Sequence, residues 1–113
     1  MNDCIFCKII NKEIPATVIN ETDDFIVIKD IQPKAPIHLL IITKKHIQSL
    51  SHLEAGDQAL MGKMVEQAKQ LAEKSGLLQR GFKLVVNCGP EGGQLVPHLH
   101  FHFLGGEKLD HLA

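Results

Sequence analysis

Residues 98–106 read His98-Leu99-His100-Phe101-His102-Phe103-Leu104-Gly105-Gly106. Histidine alternating with large apolar residues spells a β-strand, because successive strand side chains point to opposite faces. On that reading one face carries three imidazoles, about 6.6 Å apart at ~3.3 Å per residue. Leu99, Phe101 and Phe103 point the other way, into a core. An imidazole can donate, accept or ligate near neutral pH, and burying three without a task costs desolvation at each. Two chemistries fit the run. A strand-borne His-x-His can supply two ligands to zinc. Alternatively, one imidazole attacks phosphorus while its neighbours hold the phosphate oxygens and pass a proton to the leaving group. The loop just before it, residues 88–94 (CGPEGGQ), favours the second. Gly92 and Gly93 let main-chain amides approach an anion closely and form a nest for it.

The 113 residues suit one domain, 1–113. With 44% apolar and 22% charged residues, the composition is globular rather than disordered. Twelve basic against thirteen acidic residues leave a net charge of −1. This argues against nucleic-acid or membrane-surface partners, which call for a basic patch. No apolar run approaches the ~20 residues of a membrane span, and the N-terminus lacks a signal peptide's basic-then-apolar order. A cytoplasmic location is the expectation, and three cysteines, an odd number, suit a reduced compartment.

Outward from the histidine run, residues 83–87 spell another strand, and residues 37–43 an apolar central strand containing His38. Residues 17–20 and 25–29 spell two strands joined by a Thr22-Asp23-Asp24 turn. Pro33 and Pro36 make residues 30–36 a loop. Ser51-His52-Leu53-Glu54 has capping-box spelling. Leu60, Met61, Met64, Val65, Ala68, Leu71 and Ala72 follow at helical spacing, and Gly76 stops the helix. Residues 4–11 read as a short helix. Together these give an α+β domain: a mainly antiparallel five-stranded sheet, one long helix and a short N-terminal helix.

Cys4 and Cys7 share one face of that short helix, in metal or redox spelling. A thioredoxin-like role lacks the βαβ context. Two thiols alone do not complete a structural zinc site, and reduced cysteines also pack as small apolar residues. Cys88 reads as a loop residue, and His52 and His111 as solvent-facing.

The chain resembles the histidine-triad (HIT) family of nucleotide hydrolases and transferases. His98 to Leu104 match its His-φ-His-φ-His-φ-φ motif (φ apolar) at every position. The likeness extends through CIFCKIINKEIP, KDIQPKAPIHLLIITKKHI, VVNCGPEGGQ and LGG. The LGG ending and short length resemble the nucleotide-binding branch, which cleaves purine nucleoside phosphoramidates, more than the dinucleoside polyphosphate hydrolases. The resemblance implies that His100 is the nucleophile and forms a covalent nucleotidyl-imidazole. It implies that His102 contacts the phosphate and assists the leaving group, that His38 orients His100, and that Asn87 lies near the scissile phosphate. Asp30 matches the carboxylate that binds the ribose hydroxyls. Ile5, Phe6, Ile9, Ile28 and Ile31 match the purine pocket, although plain core packing also accounts for such residues. Gly93, Gln94 and Leu95 match the phosphate-side loop.

Leu95 stands where some relatives carry a serine, and Pro97 where an aromatic residue is common. The first change bears on rate and leaving-group preference, the second on how the strand enters the sheet. In zinc-containing relatives with the N-terminal CxxC, the other ligands match His46 and His98. That implies a structural Cys4, Cys7, His46, His98 site, no catalytic metal, and a homodimer pairing through the long helix and an adjacent strand. The rival readings are a nucleotide-binding regulatory or scaffold protein with weak catalysis, and a triad that is itself a zinc site.

Overall fold

The computed structural model describes residues 3–110, so His111 lies outside the described residues. The chain runs α1 (Ile5–Ile10), β1 (Val18–Glu21), β2 (Phe25–Lys29), β3 (Ile37–Thr43), a 3-10 turn (Leu50–His52), α2 (Asp57–Lys74), β4 (Lys83–Val85) and β5 (His100–Gly105). The strands form one sheet in the order β1-β2-β3-β5-β4, with every neighbouring pair antiparallel. This is the α+β architecture read from the sequence.

Strand periodicity sorts the core into two layers. Phe25 and Val27 of β2, Leu39 and Ile41 of β3, and Phe101 and Phe103 of β5 share one face with Leu99. They pack against Met64, Ala68, Leu71 and Ala72 of α2. Each fully buried side chain of this size contributes roughly 1.5–3 kcal/mol. The intervening residues Ile26, Ile28, Leu40 and Ile42 face the other way and meet Phe6 and Ile9 of α1. Because α1 has only six residues, it covers part of that face. The rest, over β3, β5 and β4, is left open as a cleft.

Three boundaries differ from the sequence reading. The histidine run enters the sheet at His100, not His98. After Pro97 the His98 N–H closes a tight turn onto the Val96 carbonyl (2.8 Å), and the Leu99 N–H bonds to Ile47 (2.7 Å). The Ser51/Glu54 capping box is absent. Ser51 lies in the 3-10 turn, where its N–H donates to Ser49 Oγ (3.2 Å), and α2 starts at Asp57 after Gly56, at φ 97°. Asp57 takes over the cap from inside the helix, Oδ2 accepting the Glu54 N–H at 2.9 Å. Finally, β4 stops at Val85, because Asn87 turns into the glycine-rich loop. Gly76 ends α2 as read, at φ 71°, while Val65 faces solvent. Among the described residues no helix is long and apolar enough to cross a membrane.

Candidate active site and candidate metal site

The cleft, about 450 Å³, is lined by Phe6, Asp30, His38, Asn87, His100 and His102, among others. Strand register explains how the histidines meet. On β3 and β5, Leu40 is paired with His102 and His38 with Leu104. His38 and His102 are therefore diagonal neighbours on one face, within reach of each other's rings. His38 Nε2 lies 3.0 Å from His102 Nδ1 and 3.3 Å from Asp30 Oδ2. The main-chain N–H of Lys34 donates to His38 Nδ1 at 3.0 Å.

His100 is held differently. Its Nδ1–H donates to the His98 carbonyl at 2.7 Å, so Nε2 keeps its lone pair. The Phe6 ring packs edge-on against it, with centroids 5.0 Å apart. Burial lowers the pKa of all three cleft histidines. For His38 the Asp30 carboxylate opposes burial, and Lys34 adds to it. For His100 the His98 carbonyl and Asp30 oppose it. His102 falls to about 4, through burial first and then charge on His100 and His38. At neutral pH these rings are neutral, the form in which an imidazole is a nucleophile or acceptor.

That shift sets a stability slope. The folded pKa lies below the unfolded value of about 6.5, so the unfolded chain binds more protons between the two. Stability is then greatest above pH 6.5 and is lost as pH falls towards 4. From pH 7 to pH 5, His102 alone should remove roughly 2 kcal/mol. Urea unfolding at both pH values checks this against His102→Gln, which should lose correspondingly less. Equal losses in the two proteins would contradict the shift.

The glycine-rich loop does not offer the anion nest read from its composition. Its amides are used internally: Gly92 N–H donates to Gly89 (3.2 Å), Gly93 N–H to Pro90 (3.2 Å) and Gln94 N–H to Gly89 (3.0 Å). Gly92 is required because a Cβ there would run into the Cys88 carbonyl. The loop positions side chains instead. Asn87 Nδ2 donates to the Gly92 carbonyl at 2.8 Å, and Asn87 and Gly93 line the cleft. Gln94 straps the loop to the carbonyls of Gln48 (2.8 Å) and Val96 (2.9 Å). Leu95 lines the cleft and is 92% exposed. Of the apolar set, Phe6 lines the cleft, and Ile9 and Ile28 are core. Ile5 is half-exposed, and Ile31, beside Asp30, is 92% exposed. Lys34 and Lys83 also line the cleft. Sequence reasoning missed both, although Lys83 was reachable: β4 alternation puts it and Val85 on the His102 side, Val85 paired with His102.

Behind the cleft, Cys4, Cys7, His46 and His98 bring four donor atoms within 4.8 Å of one another. His98 Nδ1 lies 3.2 Å from Cys4 Sγ, 3.6 Å from Cys7 Sγ and 3.1 Å from His46 Nδ1, and Cys7 Sγ is 3.4 Å from His46 Nδ1. Bond lengths of about 2.0–2.3 Å around tetrahedral zinc imply donor–donor edges of about 3.3–3.8 Å. The His98 tautomer also fits. Its Nε2 is tied to the Thr43 carbonyl (2.6 Å), which leaves Nδ1 as a ligand and supplies the outer-shell acceptor typical of metal-bound histidine. Asp30, His38 and His102 form a second group of close donors. Thus the triad is not one ligand set: His98 belongs to one group, His102 to the other, and His100 to neither. Cys88 stands apart, its Sγ 3.1 Å from Ser51 Oγ, and His52 is exposed, with Nδ1 2.7 Å from Ser49 Oγ.

Comparison with known proteins bears on the fold and the family. The family model for "Scavenger mRNA decapping enzyme C-term binding" matches residues 3–110. Protein HitA of Neisseria gonorrhoeae is 49% identical over 105 residues, covering 93% of this chain and 97% of HitA. A HIT family hydrolase from Legionella pneumophila superposes with a TM-score of 0.91 at 45% identity, covering 94% of this chain and 95% of that one. A histidine triad nucleotide-binding protein from Candida albicans does so with a TM-score of 0.81 at 30% identity, over 98% and 86%. The chain belongs to the histidine-triad (HIT) family.

Proposed function

We propose that this protein hydrolyses purine nucleoside phosphoramidates, or related nucleotidyl conjugates, at the α-phosphate through a covalent nucleotidyl-His100 intermediate. The observation that carries the reading is the His100 Nδ1–H bond to the His98 carbonyl, which leaves a neutral Nε2 lone pair on a side chain lining the cleft. Nε2 attacks the α-phosphorus, the P–N bond to the amine breaks, and the amine leaves with the bond's electron pair and a proton taken from solvent. Water then attacks phosphorus, breaking the P–Nε2 bond and returning a proton to solvent. This releases the nucleoside monophosphate and returns the imidazole to its neutral form. Dividing the displacement into two steps is what a nucleophile accomplishes here.

In this reading His102 contacts the phosphate and leaving atom, His38 orients the histidine pair, and Asn87 lies by the phosphoryl oxygens. Gly93, Gln94 and Leu95 form the loop beside them. Asp30 receives the ribose diol, and Phe6 and Ile31 offer apolar surface to the base, backed by Ile5, Ile9 and Ile28. Zinc held by Cys4, Cys7, His46 and His98 would tie α1 to the segment entering β5, a structural task. A two-fold dimer would use α2, where Val65 is exposed, and the edge strand β4.

A second reading is favoured by Lys34 and Lys83 in the cleft lining: two ammonium groups suit a substrate with additional phosphates, as in a dinucleoside polyphosphate. Turnover separates the two. The first reading expects kcat/KM for adenosine 5′-phosphoramidate to exceed that for a diadenosine polyphosphate by at least about tenfold, roughly 1.4 kcal/mol of transition-state preference. The reverse order selects the second. Tight nucleotide binding with negligible turnover of either returns a binding protein.

A further inference from the structure

His38 is gripped at both ring nitrogens, and the two grips differ in kind. At Nδ1 the partner is the main-chain N–H of Lys34, 3.0 Å away, a group that can only donate. Nδ1 must therefore present a lone pair, and the neutral ring carries its proton on Nε2. At Nε2 the partners are His102 Nδ1 at 3.0 Å and Asp30 Oδ2 at 3.3 Å, and both can accept.

We propose that the main-chain amide of Lys34 is a positioning group for catalysis: it locks His38 in the Nε2–H form, which in turn fixes His102 with Nδ1 accepting and its own proton on Nε2. This rests on the assignment of His102 to the phosphate and leaving group. The chain of hydrogen bonds then has one direction, Lys34 N–H to His38 Nδ1 and His38 Nε2–H to His102 Nδ1. His102 is left with an N–H to offer a phosphoryl oxygen, beside the lone pair of His100.

The surrounding loop is built to hold that amide in place. Asp30 N–H donates to the His38 carbonyl at 3.1 Å, and Asp30 Oδ1 accepts the Gln32 N–H at 2.8 Å. Pro33 fixes the backbone just before Lys34. Pro36 lies against Gly106, where a Cβ would come within 2.9 Å of the proline ring. The groups facing the His38 ring are Asp30, His102 and the Lys34 ammonium, and burial keeps the ring neutral against the pull of Asp30. The same lock closes the Asp30–His38–His102 group to metal. A cation at His38 Nε2 would have to displace the ring's only proton, whereas His98 in the four-donor group offers an unprotonated Nδ1.

The test reads the tautomer first, by spectroscopy, so that its outcome is separate from that of the substrate assignment. In full-length protein with 15N-labelled histidine, two-bond 1H–15N correlation spectra should show His38 with a protonated Nε2 and an unprotonated Nδ1. A scalar coupling across the hydrogen bond should link the Lys34 amide nitrogen to His38 Nδ1. Lys34→Ala keeps the amide and should retain both signatures. Lys34→Pro removes the donor and should release the Nδ1–H form, with kcat at neutral pH falling about tenfold. A protonated Nδ1 in the wild type, a missing coupling, or an unchanged tautomer in Lys34→Pro overturns the proposal. If Lys34→Pro does not fold, the wild-type tautomer and coupling decide.

Discussion

Replacing His100 with asparagine should lower kcat/KM for adenosine 5′-phosphoramidate by at least about a thousandfold, equivalent to roughly 4 kcal/mol of transition-state stabilisation. The size follows from what is removed. His100 has one tautomer available, Nδ1–H on the His98 carbonyl, and the lone pair opposite is the only protein nucleophile the proposed mechanism uses. Asparagine keeps an N–H donor near that carbonyl and changes no other cleft group, so nucleotide binding should survive. Affinity for adenosine monophosphate is expected to stay within about threefold, less than 1 kcal/mol. Denaturing mass spectrometry of wild-type protein quenched during turnover should show a population heavier by one nucleotidyl group, and His100→Asn should show none. Asparagine could fail for reasons of shape, so His100→Gly gives an independent second reading. Retained turnover in both variants would sink the nucleophile assignment. Loss of binding together with turnover would indicate that the pocket had collapsed, and the residue carrying the adduct in the wild type, found by peptide mapping, would then decide the assignment.

Much of this site was legible because alternation is a local property. The spelling of 98–104 puts Phe101 and Phe103 in one layer and His100 and His102 in the other with no knowledge of partners. Register is not local. That His102 pairs with Leu40 and so stands diagonal to His38 depends on how two segments sixty residues apart align, which no window of sequence contains. Main-chain donors were equally out of reach: Lys34 acts at His38 through its amide, and every residue except proline has one. The capping box misled for a different reason. Ser51 and Glu54 had the right spacing, but Ser49 and Asp57 formed competing bonds that ended one turn and began the next element. Likewise, composition showed that residues 88–94 could present amides to an anion, but not that the loop would consume them itself.

Loss of the proposed zinc from the four-donor group is the largest stability effect expected. For free zinc a thousandfold above its dissociation constant, binding to the folded state alone contributes about 4 kcal/mol. In a chain of 113 residues that corresponds to roughly 15 °C in the unfolding midpoint. Purified protein should carry one zinc per chain by elemental analysis, and Cys7→Ser should retain under about a tenth of that, because one thiolate fewer breaks a closed four-ligand site. Chelation of the wild type should lower the midpoint towards that of Cys7→Ser and leave the variant almost unmoved. An unshifted midpoint after complete metal removal would refute a structural role. Activity supplies the opposing test. The four-donor group reaches the cleft through His98, whose ring joins it while the His98 carbonyl holds His100, and through Phe6, which lies between the two cysteines and against the His100 ring. Demetallation therefore loosens the nucleophile without removing it, so turnover should decline in step with structure. Immediate, complete and reversible loss in a still-folded protein would instead place the metal at the reacting atoms, which the donor geometry of His98 argues against: its Nδ1 lies within 3.6 Å of Cys4, Cys7 and His46, a donor group that does not include His100.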